Sequence, residues 1–353
     1  MTYIPLNQIV DALEELDATQ KQLLMRILEE STSSHVPSTQ DRLSSLDEIR
    51  AARFHDGLIC PHCGGTGDFK KNGTYRRRQR YLHKTCGRTF NDLTSTPIHG
   101  TKYPEKWASY MRTMEQGYSL RKCAELVGIC LQTSFEWRHK ILHALSQIKS
   151  QTLEGIVEAD ETYVLYSEKG KRGLTRKARK RAGVAKKRGI SSEQVCVLVA
   201  RDRTKHTLAQ VATFGRLSAA TLDQLLTSRL QTGVILCTDE EPTFRKYARE
   251  TKLPHEKVNP GKKRYVTKEI YHIQNVNAYH ERFKTFLHRF RGVATKYLNH
   301  YIAYHRFLDG TTGLSGLARV KELFHQALLQ SMRTTGKALP SYCENEIQKM
   351  MVS

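Results

Sequence analysis

The sequence predicts an α/β protein whose mixed-sheet core is preceded by a small metal-binding hairpin and a pair of helices. Residues 151–250 alternate apolar, strand-like runs with amphipathic helices. Upstream, four cysteine and histidine residues have the spacing of a tetrahedral zinc site. Between these parts, two helical patterns flank a short turn that contains Gly128. The pattern divides the chain into five segments, which are residues 1–50, 51–100, 101–150, 151–305 and 306–353.

The charge of the chain indicates a polyanionic partner. Its 353 residues include 57 Lys and Arg against 35 Asp and Glu, a formal net charge of +22. Nucleic acid is favoured over a membrane, because no apolar run approaches the ~20 residues of a membrane span. The start of the chain lacks the layout of a signal peptide, so we expect a cytoplasmic protein. The eight cysteines are then predicted to be thiols or metal ligands.

Residues 1–50 predict a helical appendage. Leucine and isoleucine recur at helical spacing, and a Ser/Thr/Pro-rich stretch at 31–40 has the composition of a linker. We expect no chemistry from this segment; a helix for self-association is the alternative.

Residues 51–100 predict a zinc ribbon. Two CxxC-like pairs, nineteen residues apart, supply Cys60, Cys63, His83 and Cys86. Such pairs at opposite ends of a hairpin bring four soft ligands to one Zn²⁺. The ion would be structural, because four protein ligands leave no position for water. His55 and His99 are alternatives for the fourth ligand, and two coincidental motifs in a loop are the alternative to a metal site.

The segment between the two pairs predicts a basic hairpin. Asn72-Gly73 is the expected turn, and the residues around it include six cations and no anion. Arg76, Arg77 and Arg78 are the candidate contacts to a phosphate backbone. A merely solvated basic hairpin is the alternative.

Residues 101–150 predict three helices, over Pro104–Gln116, from the N-cap Ser119 onward, and over Leu131–Ile148. A turn at Gly128 joins the last two, as in a helix-turn-helix, whose second helix enters the major groove of DNA. The candidate DNA contacts are the polar residues of that helix, namely Gln132, Thr133, Arg138 and Lys140.

Residues 151–250 predict four strands, which are Ile156–Asp160, Val195–Ala200, Thr207–Thr213 and Val234–Asp239. Asp160 and Asp239 thus end neighbouring strands, where carboxylates can hold Mg²⁺. Either aspartate alone is better explained as a turn or cap residue, and a helix predicted over Pro242–Glu250 follows Asp239. The nearby acids are expected at the surface or in support of the ligands; they are Glu158, Glu161, Glu240 and Glu241.

Tyr271–Arg291 predicts an amphipathic helix with an apolar stripe and a separate polar face. The polar face consists of Asn277, Glu281, Lys284 and His288. One residue of this face could complete a metal site with the two aspartates.

Two basic stretches lie beside these elements. Residues 169–188 contain eleven Lys or Arg and no acid, and residues 261–268 form a second patch. Such stretches are normally solvated loops until they meet a polyanion, and the first is a candidate DNA clamp. Residues 306–353 predict a helical tail with little chemical signal.

Five motifs stand in order between about residues 50 and 305, and they are CPHC…HKTCGRTF, SLRKCAEL…TSFEWRHKIL, VEADETYV, CTDE and HIQNVNAYHERFKTFLHRFRGVATKYL. With them the chain resembles the ISXO2-like family of insertion-sequence DDE transposases. The resemblance implies a ribonuclease-H-like core. It also implies that the N-terminal half recognises the terminal inverted repeats of a DNA element, and that the core cleaves and transfers DNA strands. A homo-oligomer on double-stranded DNA, associated with the nucleoid, is expected by the same resemblance.

The resemblance also implies a site with two Mg²⁺ ions ~3.5–4 Å apart, for which Mn²⁺ substitutes. Asp160 would bridge the ions and Asp239 would hold one. The chain departs from the family pattern at His83, which replaces a cysteine, and at Asn277, which replaces the third acid as in some other members. We expect Asn277 and Glu281 to share the third role, and Lys284 to contact phosphate.

Two other functions are open from the sequence alone. One is a catalytically silent regulator that binds DNA through the ribbon and the helix-turn-helix, for which Asn277 is the best support. The other is a nuclease or resolvase acting on branched DNA, against which the helix-turn-helix argues.

Overall fold

The computed structural model describes residues 17, 20–21, 50–51, 53–174, 177, 183, 185–332 and 334–352. The predicted appendage of residues 1–50 therefore lies almost wholly outside the described residues. Most of residues 175–184, the middle of the predicted DNA clamp, also lies outside them.

A three-stranded antiparallel sheet forms the predicted hairpin. Its strands are β1 (Phe69–Tyr75), β2 (Arg78–His83) and β3 (Arg88–Phe90). Tyr81 and Phe90 are buried beside Cys60 and form its small core.

The turn of this hairpin lies four residues later than predicted. Tyr75 pairs with Arg78, so Arg76 and Arg77 form a two-residue turn, with φ angles of 50° and 61°. Such turns need positive φ at both positions. Asn72-Gly73 instead lies where the pairing register shifts between β1 and β2. The prediction of a turn at Asn72-Gly73 was wrong, because the pairing of Phe69 with His83 beside the ligand cluster sets a different register.

Three helices follow at the predicted places, α1 (Trp107–Glu115), α2 (Leu120–Val127) and α3 (Leu131–Ser146). Ser119 caps α2, because its side chain accepts a hydrogen bond from the backbone N–H of Lys122. Gly128, with a φ of 64°, ends α2 and allows the sharp turn into α3.

A five-stranded mixed sheet forms the centre of the protein, in the order β6-β5-β4-β7-β8. Its strands are β4 (Ile156–Leu165), β5 (Gln194–Asp202), β6 (Thr207–Phe214), β7 (Ile235–Asp239) and β8 (His255–Val258). Strands β4, β5 and β6 pair antiparallel, whereas β7 and β8 run parallel to β4. The four predicted strands are present, and β8 is an additional one.

Helices cover both faces of this sheet. On one face lie α4 (Ala219–Leu226) and α5 (Pro242–Thr251). On the other lie α6 (Gln274–His288) and α7 (Leu298–Gly310). None of the helices in the described parts of the chain has both the length and the apolar composition needed to cross a membrane.

The second face also packs against helices that precede and follow the sheet in the chain. Helices α8 (Gly316–Leu329) and α9 (Leu339–Val352) contribute buried residues to the same core as α1, α3 and the sheet. One hydrophobic core therefore runs across residue 150, where the sequence predicted a domain boundary. The predicted tail is part of this core.

The N-terminus of α6 is fixed by a buried carboxylate. Glu158 on β4 is fully buried, and its Oε2 accepts hydrogen bonds from the backbone N–H groups of Asn275 (2.8 Å) and Val276 (3.1 Å). Arg203 Nη1 lies 2.7 Å from Oε1 of the same carboxylate. The first N–H groups of a helix lack intrahelical partners and carry partial positive charge, so an anion is favourable there.

The C-terminal end of α6 is held by a cation that follows the same strand. Lys169 donates from Nζ to the carbonyl oxygens of Phe290 (3.0 Å) and Gly292 (2.7 Å), just beyond the helix. Cations are favourable near helix C-termini for the converse reason. Nearby, Ser167 and Thr295 exchange backbone and side-chain hydrogen bonds of 2.8 Å. Strand β4 and the residues after it therefore position both ends of α6.

We expect Glu158→Ala to lower the free energy of unfolding by about 3 kcal/mol or more, because it leaves Arg203 and the N-terminus of α6 without their anion. Denaturant unfolding followed by circular dichroism measures the change. The exposed Glu154 on the same segment gives a matched control, and Glu154→Ala should stay within about 0.5 kcal/mol of wild type. Equal effects of the two substitutions would refute a capping role.

Candidate metal centre and active site

The hairpin brings the four predicted metal ligands together. The ligand atoms of Cys60, Cys63, His83 and Cys86 all lie within 4.8 Å of one another. His83 is buried, and its Nδ1 lies 3.3 Å from the sulfur of Cys63 and 3.2 Å from that of Cys86. His55 and His99 do not belong to the group. Three thiols and an imidazole converging on one point are the donor set of a structural metal site.

Two tight turns build this cluster. The N–H of Gly64 donates to the carbonyl of Cys60 (2.8 Å), and the N–H of Gly87 donates to that of His83 (2.9 Å), so each pair folds back on itself. Gly65 lies against the imidazole, where a Cβ would stand 2.7 Å from Cε1 of His83. Only glycine leaves room for the ring at this position.

Asp160 and Asp239 lie on the same face of the large sheet. Glu158 on β4 pairs with Cys237 on the parallel strand β7, and the aspartates stand two residues further along each strand. Side chains two residues apart point to the same face. Because Glu158 contacts α6 on that face, both carboxylates point toward α6.

Asp239 is not the cap of the helix that follows it. Its Oδ1 accepts a hydrogen bond from the N–H of Glu241 (3.0 Å), and Glu241 caps α5 by accepting from the N–H of Thr243 (2.7 Å). Glu240 accepts from Asn259 Nδ2 (2.5 Å). The second carboxylate oxygen of Asp239, Oδ2, is therefore available to bind a ligand.

The acids of this site carry raised pKa values. Burial raises the pKa of Asp160 to about 8, and the charges of Glu161 and Asp239 add to the shift. Burial, with Asp239 and Glu241, raises the pKa of Glu161 to about 7. Burial also raises the pKa of Asp239. Neighbouring buried carboxylates of this kind favour a divalent cation, which stabilises their ionised forms.

Helix α6 places His280 and Lys284 beside Asp160. His280 is buried, and its Nδ1 lies 3.7 Å from Oδ2 of Asp160. The charge of Lys284 opposes the shift that burial causes in the pKa of Asp160. Asn277 is exposed about one turn before His280 and about two turns before Lys284, on the same side of the helix. Glu281 is 77% exposed, with its carboxylate 3.6 Å from Nζ of Lys284.

The sequence did not single out His280, and it placed Glu158 and Glu161 only at the surface or in support of the ligands. Glu158 lies two residues before Asp160 in β4, and side chains two residues apart in a strand point to the same face of the sheet. This spacing could have predicted that Glu158 lies on the face of the candidate site. Glu161 has a buried Oε2 with no hydrogen-bond partner among the described residues, which nothing in the sequence indicates. His280 adjoins the polar face of the predicted helix, and nothing distinguishes it there from an ordinary boundary residue.

The predicted DNA contacts of the hairpin divide into exposed and buried cations. Arg76 and Arg77 are exposed at the turn, where Arg76 donates to the carbonyl of Thr101 (3.3 Å). Arg78 instead binds Asp92, with Nε 2.7 Å from Oδ1, and is largely buried. Its guanidinium is therefore not free to contact DNA in this structure.

The predicted DNA contacts on α3 also include both exposed and buried side chains. Gln132 is exposed in the first turn, and Thr133 is half-buried. Arg138 is 5% exposed and donates to the carbonyl of Tyr118 (2.8 Å). It lies on the inner side of α3, so it stabilises the core and is not free to contact DNA. Lys140 is half-buried, because its side chain lies against Gly336.

Residues 152–307 match the family model of the ISXO2-like transposase domain. A relative from Halobacterium salinarum, described as an uncharacterized protein in transposable element ISH50, is 29% identical over 257 residues, or 71% of this chain and 84% of the relative.

Two crystal structures of Mos1 complexes also resemble the chain. The strand transfer complex is 13% identical with a TM-score of 0.25, and the match covers 99% of this chain and 98% of that one. The pre-cleavage transpososome is 12% identical with a TM-score of 0.21, covering 92% and 98%. These similarities are too low to bear on the fold or the function.

We expect the affinity for Mg²⁺ or Mn²⁺ to rise with pH up to about 8, because a cation must displace the proton that burial keeps on Asp160 below its pKa of about 8. Since this pKa lies above the unfolded value, the cation-free protein should also lose stability as pH rises from about 4 to about 8. Calorimetric titration at several pH values measures the affinity. The dependence should weaken in Asp160→Asn, and an affinity that is flat across this range would contradict the assignment.

We expect His83→Ala to lose the metal ion of the ribbon and His83→Cys to keep it, because a fourth soft donor is restored. Elemental mass spectrometry of dialysed protein measures the content. His62→Ala, between two ligands but outside the cluster, is the control and should match wild type. Full metal content in His83→Ala would exclude His83 as a ligand.

Proposed function

Because the chain carries an ISXO2-like transposase domain over residues 152–307, we propose that it is a transposase that binds the ends of its element and cleaves and transfers DNA strands in a metal-dependent reaction. One observation carries the proposal. Asp160 and Asp239 stand on one face of the sheet, inside the matched domain, and burial raises the pKa values of both carboxyl groups. The mixed sheet agrees with the ribonuclease-H-like core that the resemblance implies.

The proposed cation is Mg²⁺, with Mn²⁺ as a substitute, since carboxylate oxygens suit hard ions. Two such ions, when bound, activate the attacking oxygen and stabilise the leaving oxygen of a phosphodiester. Asp160 and Asp239 would hold these ions. His280 faces an oxygen of Asp160 and orients that carboxylate. Lys284 is exposed on the same side of α6 and would contact a DNA phosphate.

We assign the third position to Asn277 and not to Glu281. Asn277 lies on the line of α6 that contains His280 and Lys284, whereas the carboxylate of Glu281 is paired with Lys284. An amide oxygen can position a cation or its water without adding negative charge. The site would then hold its cations with two formal charges from the aspartates.

The N-terminal part is proposed to bind the terminal inverted repeats. Zn²⁺ in the cluster of three cysteines and His83 would hold the hairpin, which presents Arg76 and Arg77 to phosphate. The exposed first turn of α3, with Gln132, is the proposed contact to the major groove. Because these helices share a core with the sheet, binding of the repeat would orient the active site on the same DNA. A homo-oligomer on paired ends, associated with the nucleoid, completes the proposal.

A catalytically silent DNA-binding regulator is the second candidate, and Asn277 in place of an acid favours it. The two functions differ in one assay. A regulator would shift duplex DNA that carries the inverted repeat on a gel and never nick it, whereas a transposase would nick it with Mg²⁺ or Mn²⁺.

We expect Asp160→Asn and Asp239→Asn each to reduce end cleavage by about 10³-fold or more, because each removes a cation ligand from the transition state. Asn277→Ala should reduce it by about 10-fold or more. Glu281→Gln should stay within a few-fold of wild type. Single-turnover nicking of a labelled inverted-repeat duplex measures all four, with gel-shift affinity as the control for folding. A Glu281→Gln protein as inactive as Asp160→Asn would reverse our assignment of the third position.

A further inference from the structure

A loop of residues 259–271 joins the two sides of the candidate active site. It begins directly after Val258, which pairs with Asp239 at the end of β7. It ends just before α6, whose first residue, Gln274, lies about one turn ahead of Asn277. Asn259 at its start donates to Glu240, the residue after Asp239. The loop therefore stands at the rim of the site.

This loop exposes apolar side chains among cations. Tyr265 is 55% exposed, Val266 43% and Ile270 54%. The exposed basic residues around them are Lys262, Lys263, Arg264 and Lys268, against the single acid Glu269. Lys268 pairs with Glu256 (2.6 Å), whereas the other three form no ion pair within the described chain. An aromatic ring among unpaired cations suits a ligand with phosphates and flat bases.

The loop is held in one shape by its own backbone. Asn259 and Arg264 exchange two backbone hydrogen bonds of 2.9 Å, and Thr267 and Tyr271 exchange two more of 2.8 and 2.9 Å. Arg203, which binds Glu158, also donates to the carbonyl of Ile270 (2.9 Å). Lys263, Lys268 and Glu269 have φ angles of 56°, 47° and 63°, a left-handed conformation that costs energy in non-glycine residues. Strained backbone conformations of this kind persist mainly at functional sites. The strain in this loop therefore favours a specific role for its exposed residues.

We propose that this loop is a DNA wedge. Tyr265, supported by Val266, stacks on a base next to the phosphate held at Asp160 and Asp239 and opens that base pair. Lys262, Lys263 and Arg264 hold the backbone of the same strand. The proposal rests on the proposed function, since it needs DNA at the site.

Opening a base pair beside the cleavage site would help the scissile phosphate to reach the carboxylates. In-line attack on a phosphodiester needs the scissile phosphate to sit deep between the carboxylates and α6. A paired, stacked duplex is too stiff to bring it there, whereas a side chain inserted between bases kinks and loosens the backbone. Aromatic stacking accepts any base, so the loop would act on whatever base adjoins the cleavage site.

The test uses an inverted-repeat duplex with 2-aminopurine at each position beside the cleavage site, bound in Ca²⁺ so that no strand is cut. Wild type should raise the fluorescence at one position, because the base leaves the stack. Tyr265→Ala should lose that rise and slow nicking in Mg²⁺ by about tenfold, while Tyr265→Phe keeps both. Tyr103→Ala is the matched control, an exposed tyrosine outside the loop. Combined Lys262→Ala and Lys263→Ala should weaken binding and lower its salt dependence but leave the fluorescence rise at saturation.

Three results would overturn the wedge. The first is an unchanged fluorescence rise and nicking rate in Tyr265→Ala. The second is an equal loss in Tyr103→Ala. The third is a change in oligomeric state of Tyr265→Ala without DNA, measured by light scattering, since the tip would then bind a second copy of the chain. Wild-type protein that binds and opens the duplex but never nicks it would refute the transposase and support the wedge, so the two proposals fail separately.

Discussion

The charge pairs at the two ends of α6 are the constraint on which the candidate active site depends. Glu158 binds the first N–H groups of the helix and Lys169 binds the carbonyls beyond its end, and both belong to β4 or the residues after it. Asp160 lies two residues from Glu158 on the same sheet face, and Asn277 lies two residues from Asn275 on the helix. The contact that caps α6 therefore also sets the separation between the aspartates and the polar face of α6.

The aspartates themselves work against the stability of the fold. Burial and the charges of neighbouring carboxylates raise their pKa values, so the ionised aspartates are electrostatically unfavourable in the cation-free protein. Such conflicts are typical of sites that are selected for function. The core on this face of the sheet takes in residues of α1 to α3 and of α6 to α9. This shared core ties the predicted DNA-binding helices to the sheet.

The sequence predicts the elements that have a strong local pattern and misses those that depend on distant partners. Strands β4 to β7, α1 to α3 and the four ligands of the ribbon follow from apolar period, capping residues and spacing. Strand β8 has the sequence HEKV, which carries no such pattern and forms a strand only because β7 lies beside it. Arg138 is of a residue type that often contacts DNA. It nevertheless lies on the inner side of α3, and this position depends on how the helices pack. Glu158 becomes a cap only once α6 folds back over β4, which no local pattern predicts.

Asp160 and Asp239 are proposed to hold a divalent cation together with Asn277. An anomalous difference map from crystals of the protein soaked in Mn²⁺ would locate that cation. We expect a peak between the two carboxylates within coordination distance of the Asn277 amide oxygen, distinct from the ion of the ribbon. A map with no peak at the aspartates, or with a peak bound to Glu281 in place of Asn277, would contradict it.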